Sequence, residues 1–188
     1  MFSPDFKIES SKDANTASLR EAIAQIGVLK KIERGKVMLS NATVSDFFFV
    51  IRKGVFKTVK YIDRKEFILG FTFPGDIDGE PLALLGHSLT PFSVRAVAAS
   101  EVLICRWHDL ETFLQKEKYL VTVNYFLIQY IAILQNRLIE SIALTAEERY
   151  KNLIQHHAQH LRQIPISDLA RYLGITKQSL SRIRSKKF

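Results

Sequence analysis

The stretch ISDLARYLGITKQSLSRIR, residues 166–184, decides the architecture of the C-terminal part of the chain. It divides into two short segments with helical apolar spacing, for which Ser167 and Thr176 are the expected N-caps. Gly174 follows the first segment, where a helix end favours a residue with left-handed backbone angles. Ala170, four residues earlier, is small enough to let two helices cross closely. The pattern predicts a helix-turn-helix.

The outward face of the second predicted helix carries the residue types that read double-stranded DNA. Lysine and arginine contact phosphates or guanine edges, glutamine pairs with adenine, and serine bonds to either phosphate or base. The alternative is an ordinary helical hairpin with a polar outer face. No residues follow in this sequence for a wing, so we expect a wingless motif. The predicted DNA-binding residues are Thr176, Lys177, Gln178, Ser179, Arg182 and Arg184.

The charge distribution also points to a polyanionic partner. The 188 residues carry a net charge of +8. Residues 145–188 hold 9 Lys/Arg against 3 Asp/Glu, whereas residues 1–144 hold 18 against 16. A compact basic module indicates nucleic acid, the alternative being a solvated basic tail.

The composition excludes several classes of protein. Apolar residues make up 47% of the chain, so it is not a disordered protein. One cysteine, Cys105, excludes an intramolecular disulfide framework and a four-cysteine cluster, and is expected to be a small buried hydrophobe. The N-terminus lacks the apolar core of a signal peptide. Residues 119–134, the most apolar stretch, fall short of the roughly 20 needed to span a bilayer. We expect a cytoplasmic protein.

The region between Lys36 and Arg106 reads as antiparallel β-structure. It contains short runs rich in β-branched and aromatic residues, separated by glycines and prolines. Lys53 and Gly54 suggest a hairpin turn between two runs. Before this region, residues 16–26 have helical spacing and residues 1–15 read as loosely ordered. The expected class is α+β, an antiparallel β-roll or jelly roll followed by helices, with strands near residues 47–51, 55–62, 67–73, 94–98 and 102–106.

A long helix is predicted after the β-structure, with apolar residues on two of its sides. Val123, Phe126, Tyr130 and Ile133 form one side, expected to cover the β domain. A heptad seam with one polar position forms the other, and favours pairing with a second copy over burial in one large core. The seam consists of Leu120, Asn124, Leu127, Ile131, Leu134 and Leu138.

A domain boundary is predicted at Thr145. Thr145 and Glu148 match a capping box, in which each side chain bonds the backbone amide of the other residue, so a new helix should begin there. The predicted division is a β-roll domain over residues 16–116, a dimerisation helix over 117–144 and a helix-turn-helix domain over 145–188.

In their order along the chain, these pieces resemble the Crp–Fnr family of bacterial transcription regulators, over roughly residues 16–184. The resemblance implies a cyclic-nucleotide-binding-type β-roll, a homodimer, a near-palindromic DNA operator and RNA polymerase as a further partner. The matching residues are Gly54, Pro74-Gly75-Asp76, Asp78-Gly79-Glu80 with Leu82-Ala83-Leu84-Leu85, and Val94-Arg95-Ala96.

The resemblance also implies an effector pocket, which departs from the family pattern here. In members that bind cyclic nucleotides, an arginine followed by a small polar residue neutralises the phosphate. Thr90 and Pro91 stand at those positions, no lysine or arginine lies between Glu80 and Arg95, and Arg95 reads as structural. We therefore expect no tight binding of cyclic AMP, but another small-molecule effector or none. The pocket positions are Gly79, Glu80, Leu82, Ala83, Thr90 and Pro91.

No catalytic signature is present, and we expect no enzyme activity. Asp76 and Asp78 are expected to bond backbone amides. His156, His157 and His160 read as a solvated helix face rather than a metal site. The leading hypothesis is a homodimeric DNA-binding transcription regulator. The alternative is a ligand-sensing protein whose basic C-terminal module binds RNA or a protein partner.

Overall fold

Two four-stranded antiparallel sheets form the centre of the computed structural model, which describes residues 14–82 and 89–185. The strand order is β1-β8-β3-β6 in sheet A and β2-β7-β4-β5 in sheet B. The strands are β1 Val28–Ile32, β2 Val37–Leu39, β3 Phe47–Lys53, β4 Phe56–Ile62, β5 Lys65–Thr72, β6 Ile77–Gly79, β7 Ser93–Ala96 and β8 Ser100–Arg106. The helices are α1 Ala14–Ile26, α2 Trp107–Leu114, α3 Lys116–Ala143, α4 Ala146–Leu161, α5 Ile166–Leu173 and α6 Lys177–Ser185. This arrangement confirms the expected α+β class with antiparallel sheets.

The two faces of each sheet are buried against different partners because side chains alternate along a strand. Phe49, Phe56 and Val102 fill the space between the sheets. Phe48 and Leu103, on the opposite face of sheet A, pack against α1, α2 and α3. On the outer face of sheet B, Val59 and other residues pack against α4, α5 and α6. The helix-turn-helix is thus docked on the β domain of its own chain.

Gly54 lies in a connection between the two sheets, so the hairpin predicted there is wrong. Strand β3 pairs with β6 and β8, whereas β4 pairs with β5 and β7. Gly54 has φ +96°, and a Cβ atom there would lie 2.0 Å from the Ser100 Oγ atom. The hairpin instead joins β4 to β5 through Asp63 and Arg64, whose φ angles are 49° and 64°.

The helical half departs from the predictions at one point. Helices α2 and α3 are separate because Gln115 between them has φ 62°. Ser167 is not the cap of its helix: α5 begins one residue earlier, directly after Pro165, and has no side-chain cap bond. The capping box is confirmed, since Thr145 N donates to Glu148 Oε2 at 2.8 Å and Glu148 N to Thr145 Oγ1 at 3.3 Å. Residues 1–13, most of the N-terminus expected to be loosely ordered, lie outside the described residues.

Candidate functional site

Residues 166–185 form two short helices, α5 and α6, joined by a tight turn. Gly174 has φ 71° and ψ 26°, and its amide donates to the Arg171 carbonyl. The next amide, of Ile175, donates to the Ala170 carbonyl at 3.0 Å, which completes a left-handed helix end. Thr176 Oγ1 accepts from the Ser179 amide at 3.1 Å and thereby caps α6. Leu180 is fully buried and fixes α6 against α5.

The opposite face of α6 is exposed, basic and free of acids. Lys177, Gln178, Arg182 and Arg184 are all exposed. In the described part of the chain, no hydrogen bond or ion pair engages their side chains. Ser181 lies on the same exposed face and was not among the predicted residues. The hydroxyls of Thr176 and Ser179 lie 3.0 Å apart and serve the cap. The donors on this face that serve no cap are therefore Ser181 and the long side chains.

The helix-turn-helix is held to sheet B by a buried charged group as well as by apolar packing. Lys57 of β4 places its Nζ atom 2.9 Å from Glu66 Oε1 of β5 and 3.0 Å from Asp168 Oδ2 of α5. Arg171 Nη1, also of α5, lies 2.5 Å from Glu66 Oε2. We call these four residues the Lys57 cluster. Its two cations and two carboxylates compensate each other, and Lys57 and Asp168 are each only 8% exposed.

Within the Lys57 cluster, the surrounding charges favour the ionised form of Glu66. Burial opposes ionisation of Glu66, but the hydrogen bond and charge of Lys57, with the charge of Arg171, outweigh burial and lower the pKa of its carboxyl. Arg95 of β7 is the register partner of Lys57, and its positive charge also lowers the pKa of Glu66. Val94 and Ala96, its neighbours in sequence, point into the space between the sheets. Arg95 therefore lies on the outer face of sheet B.

Glu80 lies immediately after β6 and is 2% exposed. Its Oε1 atom accepts from the Leu82 amide at 2.9 Å, while Oε2 has no hydrogen-bond partner within the described residues. Burial raises the pKa of this carboxyl. Gly79 packs so tightly that a Cβ atom there would lie 2.7 Å from Phe48 Cβ. Ala83, the next pocket position predicted, lies outside the described residues.

The Thr90-Pro91 turn is tied to neighbouring loops. Thr90 is 1% exposed, and its hydroxyl donates to the Thr43 carbonyl at 2.9 Å, so its proton is already used. Lys60 Nζ donates to the Pro91 carbonyl and, at 2.8 Å, to Asn41 Oδ1. Lys60 is thus a cation beside this turn that the sequence reasoning missed. It comes from β4, which pairs with β7, and no local motif marks it.

Asp76 and Asp78 bond backbone amides, as predicted. Asp76 Oδ2 accepts from the Phe73 amide, and Asp78 Oδ1 accepts from the Gly79 amide, each at 2.8 Å. Asp78 also accepts from the Thr72 hydroxyl at 2.9 Å. Burial raises its pKa to about 6. These carboxylates shape the turn before Glu80.

The second apolar side of α3 is uncovered in the single chain. Val123 and Phe126 pack on the outer face of sheet A, as expected, whereas Ile133, expected on the same side, is 42% exposed. Leu127, at the border of the predicted seam, packs partly against the same core. Asn124 is exposed, and so are the other four seam residues: Leu120 49%, Ile131 53%, Leu134 43% and Leu138 60%. The exposed stripe is wider than the seam because Val121, Ile128, Ile139 and Ile142 extend it.

The three histidines of α4 form no metal site. Among residues 14–82 and 89–185, no three His, Cys, Asp or Glu side chains are grouped to hold a metal ion. The solvated face expected here is wrong for His157, whose ring stacks on Phe73 at 3.9 Å. Burial, with nearby positive groups, lowers the pKa of His157 to about 4.

None of the helices in residues 14–82 and 89–185 combines the length and the hydropathy that a membrane-spanning segment requires.

Comparisons with known proteins agree with this geometry. Residues 29–117 match the family model of the cyclic nucleotide-binding domain. In a sequence comparison with curated proteins, none matches the chain.

Solved structures share the fold well beyond that domain. FixK2 from Bradyrhizobium japonicum superposes with a TM-score of 0.69 at 17% identity, over 86% of this chain and 84% of FixK2. CLP from Xanthomonas campestris, a c-di-GMP responsive global regulator, gives 0.64 at 14% identity over 90% of each chain. The catabolite activator protein of Thermus thermophilus gives 0.55 at 20% identity over 93% of this chain and 83% of that one. Residues 29–117 are therefore similar to the cyclic nucleotide-binding domain, within a fold shared with these proteins along most of the chain.

Proposed function

We propose that the chain is a homodimeric DNA-binding transcription regulator of the Crp–Fnr type. The observation that carries this proposal is the exposed face of α6, where Lys177, Gln178, Arg182 and Arg184 meet no partner in the described part of the chain. Cations left without acidic neighbours are available to phosphates and base edges. The fold shared with CLP, which is a global regulator, supports the same conclusion.

Dimerisation through α3 explains its uncovered apolar stripe. An exposed row of leucine and isoleucine side chains costs free energy in water, and a second copy of the same helix covers it. In such a dimer, two α6 helices would enter successive major grooves about 34 Å apart and read a near-palindromic operator. The proposed domains are those predicted above, with RNA polymerase as a further partner.

The effector pocket is proposed to be degenerate in its phosphate site. The Thr90 hydroxyl donates to a carbonyl, and Lys60 is held by Asn41 and Pro91. Neither group is free for a phosphate, whereas Glu80 keeps one oxygen without a partner in the described residues. We therefore expect cyclic AMP to leave the melting temperature unchanged, whereas a ligand at 100 times its Kd would add about 2.7 kcal/mol. A clear shift with cyclic AMP would show that Lys60 or another cation reaches the phosphate.

The DNA-binding proposal is tested by selecting duplexes from a random pool and measuring their affinity. Arg182→Ala should weaken binding to a selected duplex by about 1–3 kcal/mol if the side chain reads a base. Arg52→Ala is the matched control, because Arg52 is an exposed arginine at the end of β3. Equal affinities for both variants, or no selected duplex at all, would reject the proposal. Preferential binding of RNA would favour the alternative function.

The dimer is tested by placing a charge in the exposed stripe. Ile131→Arg should convert the protein to monomers in sedimentation experiments, because the new guanidinium would be buried at the interface. Gln155→Arg adds the same charge at an exposed position of α4 and should leave the dimer intact. A wild-type protein that sediments as a monomer would contradict the proposal directly.

A further inference from the structure

A cleft opens between the free edges of the two sheets. Strand β1 ends sheet A on one side and strand β2 ends sheet B, and the cleft lies between them. Its volume is about 480 Å³, within the range of small-molecule sites. Glu80 follows β6, at the opposite edge of sheet A. None of the residues lining the cleft is a predicted position of the effector pocket.

The floor of the cleft is apolar. Ile32, Phe47 and Ile104 project from the inner face of sheet A, and Val37 and Met38 close the cleft from β2. Ile32 is 9% exposed, while the other four are half-buried, so apolar surface is left in contact with water. An apolar chain entering the cleft would remove that surface from water, which is favourable in proportion to the area covered.

The rim of the cleft is cationic. Lys30, Lys36 and Arg106 line it with Asp46 as the single acid. Arg106 Nε lies 3.7 Å from Asp46 Oδ2, with both side chains about two-thirds exposed, and an exposed pair of this kind is weak. The guanidinium can therefore turn to another anion at little cost. Three cations against one carboxylate favour a ligand with a negative head group.

We propose that this cleft binds a monomeric amphiphilic anion of the fatty-acid class. The carboxylate lies among Lys30, Lys36 and Arg106, and the alkyl chain lies along Ile32, Phe47 and Ile104. A nucleotide fits less well because the floor offers few groups to bond a sugar or a base. A membrane surface fits less well because the apolar residues lie at the bottom of a concave cleft. This ligand site is independent of the proposed DNA binding.

The test is calorimetric titration of the full chain with sodium decanoate below its micelle concentration. Decanoate should bind at one site per chain, and decylammonium, with the same tail and opposite charge, should not. Arg106→Ala and the double variant Lys30→Ala/Lys36→Ala should each weaken decanoate binding about tenfold, the effect of losing a charge-assisted bond. Lys53→Ala, which removes an exposed lysine outside the cleft, should leave the affinity unchanged. Added salt should weaken binding, since the rim is exposed.

Three results would overturn the proposal. Decylammonium binding as tightly as decanoate would show that the head-group charge is not read. Decanoate binding that survives the rim variants but is lost in Glu80→Gln would place the ligand in the effector pocket. Capture by anionic vesicles without binding of monomeric decanoate would assign the basic rim to a membrane surface. Circular dichroism of each variant confirms that the fold is retained.

Discussion

Asp168→Asn is the substitution that tests how the helix-turn-helix is held on sheet B. Asparagine keeps the shape of the side chain but removes the charge that lies 3.0 Å from Lys57 Nζ. The loss of one partner from a buried ion pair costs about 3–5 kcal/mol. Lys57 keeps Glu66 at 2.9 Å, so we expect the lower part of this range, about 3 kcal/mol. The free energy of unfolding from urea titrations at one fixed protein concentration measures the effect.

The matched control is Asp46→Asn, which removes a carboxylate from an exposed pair of 3.7 Å. That change should cost at most about 1 kcal/mol. A second readout is amide hydrogen exchange, which should accelerate in α5 and α6 but not in α1, because only the former are docked by the cluster. Equal destabilisation by the two substitutions would refute the reasoning. A double variant Lys57→Met/Asp168→Leu should recover much of the stability lost in Asp168→Asn, because it leaves no unpaired charge at that contact.

Three further predictions concern a helix cap, a sheet connection and pH. Thr145→Ala should lower the free energy of unfolding by about 1 kcal/mol through loss of the capping box, measured by urea titration. Gly54→Ala should cost clearly more than Gly35→Ala in the same assay, since both glycines have positive φ but only Gly54 faces a close neighbour, Ser100. Burial raises the pKa of Asp78 to about 6, so stability falls as pH rises from about 4 to 6, whereas the lowered pKa of His157, about 4, makes stability rise with pH from about 4 to 6.5. The two slopes oppose each other in the wild type. Relative to the wild type, Asp78→Asn should therefore make stability rise more steeply with pH between pH 4.5 and 6, by up to about 1.4 kcal/mol per pH unit, roughly the linkage of one proton; a slope unchanged from the wild type would contradict the assignment.

Local signals in the sequence were sufficient for the turn at Gly174 and the cap at Thr176, but not for the start of α5, where Ser167 is not the cap. The turn at Gly174 and the cap at Thr176 are formed by hydrogen bonds between residues three to five positions apart, so they can be predicted without knowledge of the rest of the fold. The central strands were also predictable, because their β-branched and aromatic residues are buried on both faces. Strand β1 was missed because VLKKI carries two lysines and four of its five residues are exposed, as suits an edge strand.

Contacts between distant parts of the chain were not predictable. Lys57 and Asp168 are 111 positions apart, and no local sequence pattern around either residue indicates that the two form an ion pair. Lys60 reaches Pro91 only because β4 pairs with β7. Lys53 and Gly54 have the composition of a hairpin turn, yet the chain there passes from one sheet to the other. This path depends on the packing between the two sheets, which no local pattern encodes.

The rate at which the Cys105 thiol is labelled can measure local opening of the molecule. The thiol is 3% exposed, on the outer face of sheet A beneath α1 and α2, and burial raises its pKa to about 11. A maleimide can reach it only when those helices lift away from β8, so the labelling rate measures that event. Because the sequence has no second cysteine, all of the label is attached at Cys105 and the rate belongs to this one site. Comparison of the labelling rates with and without DNA, or with and without a small molecule, would therefore show how much each of them slows the opening of α1 and α2.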